Sequence, residues 1–224
     1  TANLLSHVSS ARLFDEVLKL LSGGYGQETF ALLRHYDLLK YLLPLTEDML
    51  KTQAMHQEVD RFLMAMLRNT DERIAQDKGV NPAFMFAAML WYPRQKIVRE
   101  LLQDELIPIL ANEQANNQVI SQQIKHIAIP RRITNTMREI WQLQFQLEKR
   151  KPQRVLALVH MHRFRAAYDF LLLRAEVETQ LVDIATWWTA FYDANEETKN
   201  EMIKTMTTPK KRRRRSKGKT TTKE

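Results

Sequence analysis

The sequence contains no cysteine and little glycine or proline, and these shortages restrict both fold and chemistry. Of 224 residues none is Cys, five are Gly and seven are Pro. The lack of Cys excludes disulfides, thiolate zinc sites and thiol nucleophiles. The main apolar run, residues 83–91, is far shorter than the ~20 residues that span a bilayer. The amino terminus lacks a signal-peptide pattern. We therefore expect a cytoplasmic protein without a membrane span.

Strand-forming residues are also scarce. Hydrophobic residues make up 44% of the chain, and Leu, Ala and Met dominate them rather than Val, which favours helices. The predicted fold is all-α, an irregular array of eight to ten helices. Ser10 is predicted to cap the first helix and Gly23-Gly24 to end it. Asn81-Pro82 is a predicted helix start and Pro93 a predicted end.

Apolar periodicity and the positions of the prolines predict the remaining helices. Residues 131–149 form a long one, and Pro152 starts the next. Further helices are predicted at 27–36, 48–76, 94–111, 117–127, 164–178 and 180–193.

No catalytic motif is recognisable in the sequence. It has no Gly-rich phosphate loop, no Gly-x-Ser-x-Gly, no His-Glu-x-x-His and no Asp-x-Asp pair. Adjacent acids such as Asp15-Glu16 point about 100° apart on a helix, so they cannot easily share a metal. His160 and His162, two apart, diverge for the same reason. We therefore expect neither catalytic residues nor metal ligands in this chain.

The net charge of +8 is unevenly distributed along the chain. Residues 209–224 hold nine bases and one acid, residues 131–174 hold ten and three, and residues 175–208 hold two and seven. The chain thus has two basic zones, one in the helical part and one at the carboxyl terminus. Both are candidates for binding a polyanion.

The carboxyl-terminal zone has no large apolar residue, so it is predicted to be a disordered tail. Bases that neutralise phosphates release counterions, which gives strong, sequence-independent affinity for nucleic acid. A nuclear-import signal would have the same composition. The predicted RNA-binding residues of the tail are Lys210, Lys211, Arg212, Arg213, Arg214 and Arg215.

The helical basic zone alternates bases with aromatic residues such as Phe164 and Tyr168, a pattern that suits single-stranded or structured RNA. The alternative is internal pairing, either with the acidic segment 175–208 or between Arg165 and Asp169 on one helix. The predicted RNA-binding residues are Arg131, Arg132, Arg138, Lys149, Arg150, Lys151, Arg154, Arg163, Arg165 and Arg174.

Several segments resemble one known family. Residues 10–21, followed by Gly23-Gly24-Tyr25, resemble the neck motif of class II nucleotidyltransferases, the family of bacterial poly(A) polymerases and CCA-adding enzymes. Further blocks are similar to its poly(A) polymerase branch, as is an Arg/Lys-rich tail. These blocks are residues 80–93, 128–132, 140–144, 164–169 and 174–178.

The resemblance implies the neck and body of a template-independent polymerase that transfers AMP from ATP to RNA 3′ ends, in mRNA polyadenylation and RNA turnover. The parent enzyme would use Mg and ATP through an N-terminal catalytic head whose motifs these 224 residues lack. The chain alone is therefore expected to be inactive and to bind neither cofactor. Arg12 and Glu16 match neck residues with a structural-support role.

The implied organisation is a neck at 1–45, an RNA-binding body at 46–208 and the tail at 209–224. Expected partners are RNA 3′ ends, the absent head and RNA-turnover proteins that would bind the tail. Two alternatives stay open, the tRNA-binding half of a CCA-adding enzyme and a non-enzymatic helical adaptor with a basic arm. A ribosome- or chromatin-associated protein is disfavoured, because the rest of the chain is not basic.

Overall fold

The structure, a computed structural model, describes Leu5 and residues 7–207. Its described residues form thirteen α-helices and include the short 3₁₀ helix Thr179–Leu181, with no strand among them. The all-α prediction is confirmed, although the helices outnumber the eight to ten predicted. They are α1 Ser10–Leu21, α2 Gly26–His35, α3 Leu39–Leu42, α4 Pro44–Lys51, α5 His56–Ala75, α6 Pro82–Met89, α7 Trp91–Gln103, α8 Pro108–Gln123, α9 Arg131–Lys149, α10 Pro152–Val159, α11 Phe164–Ala175, α12 Val182–Asp193 and α13 Glu196–Thr207.

Prolines set several helix starts. Pro44, Pro108 and Pro152 begin α4, α8 and α10. Proline suits this position because the N–H groups of a helix's first turn have no acceptor within the helix, so the N–H that proline lacks costs no hydrogen bond. The predicted start at Asn81-Pro82 is confirmed, with the Asn81 side chain accepting a hydrogen bond from the Ala83 N–H at 3.0 Å. The predicted end at Pro93 is wrong. Pro93 lies in the first turn of α7, where a missing N–H breaks no hydrogen bond.

Other predicted boundaries were wrong for local reasons. The helix predicted at 48–76 is two helices, since α4 ends at Lys51 and α5 begins at His56. The helix predicted at 94–111 is interrupted after Gln103, where Glu105 adopts a left-handed φ of 61°. Ser9, not Ser10, caps α1, accepting from the Arg12 N–H at 3.4 Å.

The described helices pack around two hydrophobic clusters that share α9. The larger cluster is built mainly from α1 to α7 and the first half of α9, where the buried Trp141 indole donates to the Ala87 carbonyl at 3.1 Å. The smaller one joins the second half of α9 to α10, α11 and α12, and here the Trp188 indole donates to the Leu147 carbonyl at 2.9 Å. One face of α9 is therefore fixed along its whole length.

No helix within the described residues has the length and apolar character needed to cross a bilayer. The division into neck, body and tail stays a prediction, and the predicted disordered tail, 209–224, lies outside the described residues.

Candidate nucleic-acid interface

Seven of the ten bases predicted in the helical zone have no acidic partner among the described residues. Three lie in the first half of α9, and four lie at its end or just after it. Arg138, the last of the three, and Lys149, the first of the four, are eleven residues apart, about 16 Å along the helix. With nineteen residues and a rise of ~1.5 Å per residue, α9 spans about 27 Å. The structure therefore forms two basic patches rather than one. The seven are Arg131, Arg132, Arg138, Lys149, Arg150, Lys151 and Arg154.

The first patch borders a cleft of about 380 Å³ between α8 and α9, lined by Arg131 and Arg138 and by apolar residues such as Ile124. Among the residues that the structure describes, the Arg138 guanidinium donates only to neutral acceptors, which include Asn117 Oδ1 at 3.3 Å and Thr134 Oγ1 at 3.4 Å. These bonds orient the side chain without neutralising its charge. The amino-terminal end of α9, with its unpaired N–H groups, adds to the positive potential there.

The second patch is the turn between α9 and α10, residues 149–154, which we call the basic turn. Arg150 adopts a left-handed φ of 42° there, which ends α9 and turns the chain. Lys149 Nζ lies 3.9 Å from the centre of the Phe145 ring, and the Arg150 guanidinium lies 4.9 Å from that of Trp187. Partial burial lowers the pKa of Arg150, and the negative charge of Asp183 opposes that effect. Bases at a helix end also offset its dipole, so part of this cluster's role is structural.

Arg163 and Arg165 are exposed enough to reach RNA but already have acidic partners. Arg163 contacts Glu139 at 2.8 Å, and Arg165 contacts Asp169 at 3.0 Å. The predicted Arg165–Asp169 pair is thus confirmed. The hydrogen bond to Asp169, then that to Tyr192, raises the pKa of Arg165. The other predicted pairing was between the ten bases and the acidic segment 175–208. In the described part of the chain only one ion pair of this kind is present, between Arg174 and Glu178.

Arg174 lies in the interior and not on the predicted surface. Its side chain is only 5% exposed, with ion pairs to Glu148 at 2.6 Å and Glu178 at 2.8 Å. Its guanidinium also lies 4.5 Å from the Trp91 ring centre. Burial alone would lower the pKa of Arg174, but the hydrogen bonds and charges of Glu178 and Glu148 outweigh it and raise the pKa. These contacts join α9 and α11 and leave no room for a phosphate.

Sequence reasoning did not predict the role of Arg94. This arginine is 2% exposed and has no carboxylate partner in the described part of the chain. It donates to the side-chain oxygens of Asn116, at 2.6 Å, and Asn112, and lies between Trp91 and Trp141. Burial, and then the charge of Arg174, lowers the pKa of Arg94 to about 10. Nothing in the sequence distinguishes this base from exposed ones on α7.

Phe145 was not predicted either, although a signal was present. It lies four residues before Lys149, so both side chains share one face of α9. Phe145 is 40% exposed, which places an accessible aromatic ring directly beside the basic turn.

The predicted neck residues lie on α1, beside an apolar groove of about 440 Å³ formed with α2 and α3. Arg12 is exposed, and Glu16 pairs with Lys19 at 3.2 Å. Both border the groove, whose floor includes Val17 and Leu42. Their support role stays a prediction. Within the described residues no group of three or more His, Cys, Asp or Glu could hold a metal ion.

Two family models match this chain. The family model described as "Polymerase A arginine-rich C-terminus" matches residues 104–220, just over half of the chain. A second, described as "Probable RNA and SrmB- binding site of polymerase A", matches residues 1–50. The chain therefore belongs to the family of the arginine-rich C-terminus of polymerase A.

Similar proteins carry the name poly(A) polymerase I. That of Salmonella typhimurium is 40% identical over 219 residues, covering 96% of this chain and 47% of its own length. That of Escherichia coli O157:H7 is 42% identical over 193 residues, covering 85% and 41%. The Haemophilus influenzae protein is 39% identical over 206 residues, covering 90% and 45%. The chain thus spans about half the length of these relatives and is homologous to their C-terminal portion.

Proposed function

We propose that this chain holds RNA for a poly(A) polymerase, an enzyme that adds AMP from ATP to RNA 3′ ends in mRNA polyadenylation and RNA turnover. The observation that carries the proposal is the group of seven bases along the first half of α9 and at its end that have no acidic partners among the described residues. Bases left free of carboxylates can neutralise phosphates and release counterions. Such binding is indifferent to sequence, which suits an enzyme that moves along a homopolymer.

Mg and ATP belong, in this proposal, to a catalytic head outside these 224 residues. The role assigned to this chain is accordingly to bind and orient RNA. We expect it to transfer no AMP by itself.

The three proposed regions would divide this task. The body, 46–208, would hold the RNA backbone through the two patches, and the bases of the tail, Lys210–Arg215, would strengthen the attraction. The neck, 1–45, would support the head, with Arg12 and Glu16 at the rim of its apolar groove. The description of the model that matches residues 1–50 names RNA and SrmB, which supports a further contact with RNA or a protein there. We propose a cytoplasmic location, with RNA-turnover proteins as partners of the tail.

The two alternatives receive less support. The relatives named above are poly(A) polymerases rather than CCA-adding enzymes. A non-enzymatic adaptor would not require 40% identity to an enzyme over 96% of the chain.

RNA binding across a salt titration tests the proposal. The full chain is compared with a variant whose bases at 210–215 are all replaced by Gln. If the body contributes, the variant still binds an A-rich oligonucleotide, and its affinity falls with salt with a slope of about −0.7 per phosphate neutralised. Loss of all binding in the variant would leave the helical body as a scaffold and contradict the proposal.

A further inference from the structure

The solvent face of α9 carries a single polar stripe from one basic patch to the other. Successive members are three or four residues apart, so they lie along one side of the helix. All are exposed except the half-buried Arg138. The stripe consists of Arg131, Asn135, Arg138, Gln142, Phe145 and Lys149.

No carboxylate lies on this stripe. Of the two acids of α9, Glu148 lies on another side of the helix, whereas Glu139, four residues after Asn135 and three before Gln142, borders the stripe. Glu139 is paired with Arg163 at 2.8 Å, and Glu148 is paired with Arg174 at 2.6 Å. The stripe therefore has three cations, two amides and one ring over about 27 Å, and the one acid that borders it, Glu139, is neutralised by its ion pair with Arg163.

The side chains of the stripe differ in what they can bind. Arg131, Arg138 and Lys149 can contact phosphates at the beginning, middle and end, while Asn135 and Gln142 offer both donors and acceptors to base edges. Lys149 lies over one side of the Phe145 ring, and two-fifths of Phe145 stays accessible. An accessible ring can stack only on a base that has left a duplex, so the stripe favours single-stranded over double-stranded RNA.

We propose that the outer face of α9 is a track for single-stranded RNA, with one base stacked on Phe145. At ~3.4 Å per stacked nucleotide the track would cover about eight nucleotides, and fewer of an extended strand. This inference rests on the proposed function and deepens it, since it names the strand type and the surface. The family model whose description mentions RNA matches residues 1–50 and does not include α9.

The test uses the full chain with the tail bases at 210–215 replaced by Gln, and a single-stranded oligo(A) twelve-mer as probe. Replacing an aromatic platform costs about ten-fold in affinity. We therefore expect that loss for Phe145→Ala with an unchanged salt slope, and recovery for Phe145→Trp. Ile109→Ala, an exposed apolar residue at the start of α8, is the matched control and should leave affinity unchanged.

The charged members give a second readout. Arg131→Gln combined with Arg138→Gln should reduce the salt slope by about 0.7 for each phosphate that is no longer neutralised. Lys96→Gln, an exposed base on α7, should not change it. A duplex RNA of equal length should be insensitive to Phe145→Ala. Circular dichroism spectra of all variants would verify that they are folded.

Two outcomes would overturn the proposal in distinguishable ways. If the tail-substituted chain binds oligo(A) and the α9 substitutions do not change its affinity, the track is refuted while the body remains an RNA-binding unit. If neither that variant nor the unsubstituted chain binds RNA, the proposed function fails as well.

Discussion

Replacing Arg174 by Met should destabilise the fold and leave RNA binding intact. The substitution removes the cation from two ion pairs at 2.6 and 2.8 Å. Removing one partner of a buried pair costs ~3–5 kcal/mol. Glu178 is 13% exposed and stays enclosed, whereas Glu148 is 37% exposed and can turn toward water. We therefore expect the lower end of that range, about 3 kcal/mol. For a chain of this length, that lowers the melting temperature by roughly 6–12 °C.

Thermal unfolding followed by far-ultraviolet circular dichroism measures this loss, and Arg163→Gln provides a matched control. Arg163 also pairs with a glutamate at 2.8 Å, but the two side chains are 36% and 50% exposed. An exposed pair contributes at most ~1 kcal/mol, so the control should shift the transition far less. RNA affinity is then compared well below both transitions. A nearly unchanged melting temperature for Arg174→Met, combined with weaker RNA binding, would refute the assignment of Arg174 to the core.

Two further predictions concern stability. Burial, together with the hydrogen bond to Glu58 at 2.9 Å, raises the pKa of Tyr92 well above its usual value of 10. The neutral phenol therefore stabilises the fold fully below about pH 10, and this contribution is lost as the pH rises further, by up to ~1.4 kcal/mol per pH unit. Urea unfolding of Tyr92→Phe should show a flatter alkaline decline than the unsubstituted chain, and identical profiles would contradict the reasoning. At Gly26 an added Cβ would lie 2.9 Å from the Leu21 carbonyl oxygen, so Gly26→Ala should cost about 2 kcal/mol. At Gly79 it would meet nothing within 4 Å. Gly79→Ala should stay within about 0.5 kcal/mol by the same measurement, and equal losses at both sites would refute the steric argument.

Helix boundaries followed from the sequence where side-chain chemistry acts locally. Asn81 and Pro82 start α6 because an amide cap and a proline both suit a first turn. The helix end predicted at Pro93 was wrong, because a proline in a first turn and a proline that ends a helix have the same immediate sequence context. The left-handed turn at Glu105 has no glycine to signal it. Because the sequence does not signal such short loops between consecutive helices, fewer helices were predicted than the described residues form.

The site was predictable in composition and less so in arrangement. Counting charges located the basic zone, but which bases pair with acids depends on neighbouring helices. Arg174 and Arg94 became interior residues because tertiary packing places Trp91 against both guanidinium groups. The α9 stripe is different, since its three- and four-residue spacing lies within one helix and could have been recognised in the sequence.

The most direct test joins this chain to the N-terminal half of the Escherichia coli relative, in place of that protein's own C-terminal portion. AMP incorporation from ATP into RNA 3′ ends is then measured for the chimera, for the N-terminal half alone, and for a chimera in which Gln replaces the seven bases that have no acidic partner among the described residues. We predict that the chimera extends RNA well above the rate of the isolated half, and that the base-substituted chimera needs a higher RNA concentration. A chimera that folds but extends RNA no faster than the isolated half would contradict the proposal that this chain holds the RNA substrate of a poly(A) polymerase.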